Sequence, residues 1–314
     1  MVSLTRLRKT IWLLVSETIA EWKQDKASNL AAALAYYTIF SLAPLLIIVI
    51  AIAGFFFGEA AVQGEVVGQL QGLVGKEGAS IIQTTLENVQ KNGTGSGFTA
   101  SLISLGILFL GATGMFVQLQ NALNAIWNVK PKPNQGLMAL VRTRILSFSM
   151  VVGIGFLLLV SLVISAILSA IGHVATGLLP GMDVLWSLLN LAVSFGITTL
   201  LFAMIFKFLP DVQIAWGDVW MGAGLTTLLF VAGKSLLGLY LGQSSFSSTY
   251  GAAGSLVIIV AWVYYSAQIL FLGAEFTQVY ARHFGSRIRP NQRASLKNPS
   301  PSQSAARGAG QDRP

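Results

Sequence analysis

Six long apolar runs, separated by polar breaks, organise the chain. The first, Asn29 to Phe57, carries no charge over 29 positions. That is enough helix to cross a hydrocarbon layer of about 30 Å at about 1.5 Å per residue. Comparable runs cover residues 98–118, 146–171, 184–209, 214–241 and 252–280, and the second continues helically toward Trp127. The first run has two chemically different halves. Asn29, Tyr36, Tyr37, Thr38, Ser41 and Pro44 crowd its start, and its second half is almost wholly aliphatic and aromatic.

The segments between and around the runs are patterned as well. In residues 3–24, Leu4, Leu7, Ile11, Leu14, Val15, Ile19 and Trp22 recur at helical spacing, with Arg6, Arg8 and Lys9 elsewhere on the helix. This predicts an amphipathic helix that either lies on an anionic leaflet or packs beneath the bundle. Residues 58–97 are polar and Gly-rich. Val62, Val66, Leu70 and Leu73, then Ile81, Ile82, Leu86 and Val89, predict two short amphipathic helices there. Beyond Arg282 the chain is rich in Arg, Ser, Pro, Gly and Gln and reads as disordered. The expected organisation is a cytoplasmic amphipathic helix over 1–28, a six-helix membrane domain over 29–281 with the amphipathic loop 58–97, and a basic tail over 282–314. The fold class is all-α, a polytopic membrane protein of six transmembrane helices with interfacial helices at the N-terminus and in the first outer loop.

Composition agrees. Charged residues make up 10% and hydrophobic residues 54%, where a soluble domain is about a quarter charged. The pI near 9.8 invites a nucleic-acid reading, but the basic residues are sorted by side. Seventeen Lys and Arg fall on one side of the predicted membrane and two, Lys76 and Lys91, on the other, with Lys234 inside a span. This is the positive-inside pattern, with both termini cytoplasmic, and it explains the pI without nucleic acid. Cysteine is absent, which excludes disulfides, thiol nucleophiles and thiolate metal sites. The two histidines, His173 and His283, fall on opposite sides. No carboxylate pair, metal-ligand cluster, nucleophile elbow or phosphate loop is present. The expectation is a non-enzyme with no cofactor and no metal.

Polar groups at membrane depth are costly and face a bundle interior or a cavity. Asn29, Ala33, Tyr37, Ser41 and Pro44 share one face of the first span, and Pro44 predicts a bend with a freed carbonyl. Gly111, Gly114, Gln118 and Asn121 share a face of the second, with Asn124 beside it. Tyr264, Gln268 and Glu275 do so on the sixth. Each group reads either as interhelical contact or as cavity lining; together they suggest a polar vestibule at the cytoplasmic side. Lys234 reads as a snorkelling cation or as a site for an anionic headgroup. Glu275 reads as a partner for Arg282 or as a proton-coupled group. Their positions predict a separation in depth of about 15–20 Å. Asp211 and Asp218, seven apart at the cytoplasmic start of the fifth span, read either as acids sharing one helical face or as caps that suit that helix's dipole.

Four segments together resemble the YihY/BrkB family of bacterial inner-membrane proteins, the UPF0761 group. They are SNLAAALAYYTIFSLAPLL, LGATGMFVQLQNALNAIWNV, FLPDVQIAWGDVWMGAGLTTLLFVAGKSLLGLYLG and STYGAAGSLVIIVAWVYYSAQILFLGAEFTQVYA, in that order. The resemblance covers about residues 10 to 285. It implies six helices with cytoplasmic termini. It implies little settled chemistry. The family's old ribonuclease BN label is regarded as a misassignment, in keeping with the missing catalytic set. Links of family members to export of envelope lipid or lipopolysaccharide imply a transporter or flippase for an anionic lipid or amphiphile, with a non-transporting scaffold for envelope partners as the alternative.

Overall fold

The computed structural model describes residues 4–58, 62–64, 66–68, 80, 83–84, 87, 98–131, 145, 149, 153, 183–243, 252–285, 289–290 and 294–296. All of the third apolar run but residues 149 and 153, the loop after it, His173, and most of 58–97 lie outside the described residues.

Among the described residues six long helices dominate: α1 (Leu4–Gln24), α2 (Ala27–Phe57), α3 (Phe98–Ile126), α4 (Asp183–Phe208), α5 (Trp216–Gln243) and α6 (Ala252–His283). α3 carries on eight residues beyond Gln118, where Ala122, Leu123 and Ile126 are buried in the core, and α6 runs three beyond Tyr280, where Arg282 and His283 are exposed and bond the acids of α1. α4 over Trp186–Phe208 and α6 over Val257–His283 are long and apolar enough to span a membrane. α2 pairs with α3 and α6, α5 pairs with α4 and α6, and α1 lies along α6.

The corner between α1 and α2 is made at Lys26, whose φ of 52° and ψ of 44° are left-handed. The Asp25 N–H donates to Glu21 O at 2.8 Å to end α1, and the Asn29 N–H donates to Lys26 O at 2.8 Å to start α2. A left-handed non-glycine residue costs about 1–2 kcal/mol, so the surrounding packing must hold this corner. α2 runs through Pro44 without interruption.

At one end of the molecule α2 begins, α3 ends, α4 turns into α5 and α6 ends. We call it the junction end. Ala27, Ala31, Leu123, Ile126, Trp127, Phe206, Val219, Ala223, Phe271 and Ala274 are buried there in one continuous core. Two short antiparallel ladders lie at the same end. β1 (Val129–Pro131) pairs with β4 (Ala294–Leu296), and β2 (Val212–Gln213) pairs with β3 (Arg289–Pro290). Both β3 and β4 fall inside the stretch 282–314 that the sequence reads as a disordered tail. The pairing ties residues 294–296 to the chain just after α3 and residues 289–290 to the α4–α5 turn. A smaller cluster gathers Ile50 and Ile259 around Val62, with Val66 packed against it, so the described part of the 58–97 segment does turn an apolar face inward.

Candidate functional site

The α5–α6 seam is built from two Gly-x-x-x-Thr segments running in opposite directions. Thr226 donates its hydroxyl to Gly222 O at 2.7 Å, and Thr277 donates to Gly273 O at 2.6 Å. Each threonine then lies on the other helix's glycine. A methyl at Gly222 would overlap Thr277, and one at Gly273 would overlap Thr226. Higher on the seam the Tyr265 ring covers Gly233. Small residues let helix backbones approach where lipid supplies no hydrophobic drive.

The α2–α3 crossing uses five of the residues singled out in the sequence, Tyr37, Ser41 and Pro44 on α2 and Gly111 and Gly114 on α3. A methyl at Gly111 would stand 3.0 Å from Pro44 Cγ, and one at Gly114 would stand 3.3 Å from Ser41 Oγ and 3.9 Å from Tyr37 Cδ1. The Met115 N–H donates to Ser41 Oγ at 3.2 Å. The polar face of α2 therefore meets the glycine face of α3 directly. Tyr37 remains partly exposed, and Asn29 at the start of α2 is exposed.

A third polar contact sits at the α4–α5 turn. Asn124 Nδ2 donates to Asp211 Oδ2 at 2.8 Å, and the Asp211 N–H donates to Asn124 Oδ1 at 2.7 Å. Gln120 Nε2 reaches the same carboxylate at 3.4 Å. A carboxamide satisfies both the side chain and the backbone of Asp211, so this acid latches α3 to the turn rather than capping α5. Asp218 does lie in the first turn of α5, buried, with Gly285 packed against its carboxylate.

α6 carries the remaining candidates. Gln278 Nε2 donates to Ile126 O at 2.8 Å, capping the last carbonyl of α3. Three residues earlier, Glu275 is fully buried, with both carboxyl oxygens lacking a hydrogen-bond partner among the described residues. Gln268 Oε1 lacks one as well. Asp25, Glu21 and Arg282 are the charges that act on Glu275. Arg282 is not its ion-pair partner, because it bonds Glu21 at 2.8 Å and Glu17 at 3.3 Å. His283 Nε2 lies 2.7 Å from Glu17 Oε2. The hydrogen bond from His283, with the Arg282 charge beside it, holds the Glu17 carboxyl below the usual carboxylate range.

Among the described residues Gln118, Asn121, Tyr264 and Lys234 make no hydrogen bond or ion pair; Asn121, Tyr264 and Lys234 are exposed. The seam contacts set Lys234 level with Tyr265 and Glu275 level with Gly222 to Gly224, so the two charges stand about 15 Å apart along the helices. The structure thus joins Tyr37, Ser41 and Pro44 to α3 and joins Asn124 to Asp211. It leaves the Gln268 Oε1 and both Glu275 carboxyl oxygens buried without hydrogen-bond partners among the described residues. Sequence reasoning missed Gln120 and Gln278. The signal for Gln278 was its place three residues after Glu275 on the same helix face. No group of three or more acidic or histidine side chains among the described residues is arranged to hold a metal.

The sequence profile of the family described as Virulence factor BrkB matches residues 18–297, a range that takes in both tail strands. A UPF0761 membrane protein of Pseudomonas paraeruginosa is 30% identical over 258 residues, covering 80% of this chain and 58% of that protein. One from Ralstonia nicotianae is 27% identical over 256 residues (80% and 55%), and one from Methylibium petroleiphilum 28% over 268 residues (84% and 61%). The chain therefore spans less than two thirds of the length of these relatives. No solved structure matches. With apolar spans, a small-residue helix seam and a family match over most of its length, the chain belongs to the BrkB family of membrane proteins.

Proposed function

We propose that the chain is a six-span inner-membrane protein with both termini in the cytoplasm, and that it moves an anionic lipid or amphiphile during envelope biogenesis. One observation carries the transport reading. Gln268 and Glu275, two turns apart on one face of α6, hold buried oxygens without hydrogen-bond partners among the described residues inside an apolar span. Polar groups at such depth are costly unless a substrate, water or ion meets them. The 17-to-two sorting of basic residues supports the orientation. In this orientation the junction end faces the cytoplasm. Lys234, exposed on α5, lies nearer the outer leaflet, where it suits an anionic headgroup. The chain does this without enzymatic chemistry or a bound cofactor; the drive comes from a gradient, a partner or the substrate itself.

The test is flux of a fluorescent anionic phospholipid analogue in proteoliposomes. Glu275→Gln, Gln268→Leu and Lys234→Ala, each purified as a monodisperse sample, should lose most of the wild-type flux. Wild-type flux in all three would overturn the reading. A second reading, a non-transporting scaffold, is favoured by the use of Ser41, Pro44 and Asn124 in helix contacts. It predicts no flux from the wild-type protein and loss of envelope partners when residues 298–314 are removed.

A further inference from the structure

The apolar side of α1 is broad, and the bundle covers only one edge of it. Leu14 and Thr18 are buried against the bundle, at 8% and 4% exposed. The Glu17 and Glu21 carboxylates, the helix's two acids, are both taken by Arg282 and His283 at the end of α6. Opposite them Ile11, Val15 and Ile19 recur every four residues with Trp12 alongside, and all four are exposed, Trp12 by 72%. At 100° per residue these side chains span an arc of about 100°. Lys9 and Lys23 are exposed beside that arc, Arg8 is exposed on the same face one turn before Trp12, and none of the three forms an ion pair among the described residues. With its acids engaged, the free charge of α1 is all basic.

A second feature lies at the same junction end. Phe208, Trp216 and Trp220 contact one another in a row, edge-to-face and then tilted, with ring centroids 5.9 and 6.4 Å apart, and all three are exposed. Lys207 Nζ lies 5.5 Å from the Trp216 ring centroid. Amphipathic aromatics with a neighbouring lysine mark the headgroup level of a bilayer.

We infer that α1 lies in the headgroup layer of an anionic leaflet, with Ile11, Trp12, Val15 and Ile19 immersed at the acyl boundary and Arg8, Lys9 and Lys23 on lipid phosphates. The occupant of the exposed face is phospholipid. The arguments are charge complementarity, the aromatic belt at the same end, and the spans that already fix the chain in a membrane. Immersion of about 5–10 Å below the headgroups is ordinary for such helices. The inference is independent of transport and stands or falls without it.

The natural absence of cysteine allows a clean test. Full-length Trp12→Cys, Val15→Cys, Ile19→Cys and Lys9→Cys proteins are nitroxide-labelled and reconstituted in vesicles of phosphatidylglycerol and phosphatidylethanolamine. Accessibility to oxygen and to a water-soluble nickel chelate is then measured. Oxygen should dominate at 12, 15 and 19, and the ratio should reverse at 9. Free access of nickel chelate to 12, 15 and 19 would show that the face is in water. Exclusion of both reagents would show that protein covers it. Either result overturns the inference. In phosphatidylcholine-only vesicles, or with Arg8→Gln and Lys9→Gln in the Trp12→Cys background, the oxygen-to-nickel ratio at 12 should fall. An unchanged ratio would overturn the anionic preference.

Discussion

The two halves of α4 have similar residues and opposite surroundings. Leu188, Leu189 and Leu191 in the first half are exposed, whereas Phe202, Ala203, Ile205 and Phe206 in the second belong to the core. Span length does not separate them, since both halves belong to the one stretch, Trp186–Phe208, that is long and apolar enough to cross a membrane. The difference is made by partners. At the junction end α4 meets α5 through the Thr199–Thr227 hydroxyl contact of 3.1 Å and the Phe202–Phe230 ring pair. The first half meets nothing comparable among the described residues. In lipid that exposure carries little cost, because acyl chains are as apolar as leucine. Hydrophobicity therefore places such a helix in the membrane, while small residues and polar latches decide which part of it is packed.

This contrast is open to direct attack. Trp127→Ala, which empties the largest fully buried side chain at the junction end, should cost about 3–5 kcal/mol. It would be read as a large drop in thermal midpoint in detergent. Gly222→Val forces a branched side chain into Thr277 and should cost about 1–3 kcal/mol or more. Gly224→Ala, two residues away with nothing within 4 Å, should leave the midpoint near wild type. Equal effects at both glycines would break the account of the seam. Asn124→Ala strands the Asp211 carboxylate and should cost about 1–3 kcal/mol. An unfolding titration should detect it, and Asn124→Asp should not restore stability, since it sets like charges together. Leu188→Ala on the exposed half should change stability by no more than about 0.5 kcal/mol. A loss like that of Trp127→Ala would show that the first half is packed after all.

The smallest effect concerns the α1–α6 clasp. Glu17 has a lowered pKa when folded, so its contribution is present above the ordinary carboxylate value of about 4 and is lost as pH falls through the folded value. Acidification below about pH 4 should loosen α1 from α6, seen as faster hydrogen exchange over residues 10–24, and Glu17→Gln should show the same exchange at neutral pH. Both groups are partly exposed, so the global midpoint should barely move.

Much of this fold is legible in the sequence. The limits of α2, α5 and α6 fall within three residues of the ends of their apolar runs, because run length and helical rise fix a span. The amphipathic period of α1 is also readable, though not that only one edge of its apolar side docks. The latches are not readable. Asn124 and Asp211 are polar residues in apolar surroundings, and their separation of 87 positions hides which of many such pairs meets. Arg282 could serve Glu275 or the acids of α1, and only the docking of α1 decides it. The tail strands escape notice because two or three residues paired at a ladder have no period of their own. The third run lies outside the described residues.

The paired Gly-x-x-x-Thr segments limit how α5 and α6 can move. Their contacts fix one register, Gly222 to Thr277 and Thr226 to Gly273. A slide of one turn one way would set Thr226 against Thr277, two branched side chains in a gap sized for one. A slide the other way would face Gly222 with Gly273 and leave a void. The pair is a ratchet with a single notch, so it transmits a push along its length without absorbing it. Relative motion of α5 and α6 at this level must therefore bend or rotate around that strut.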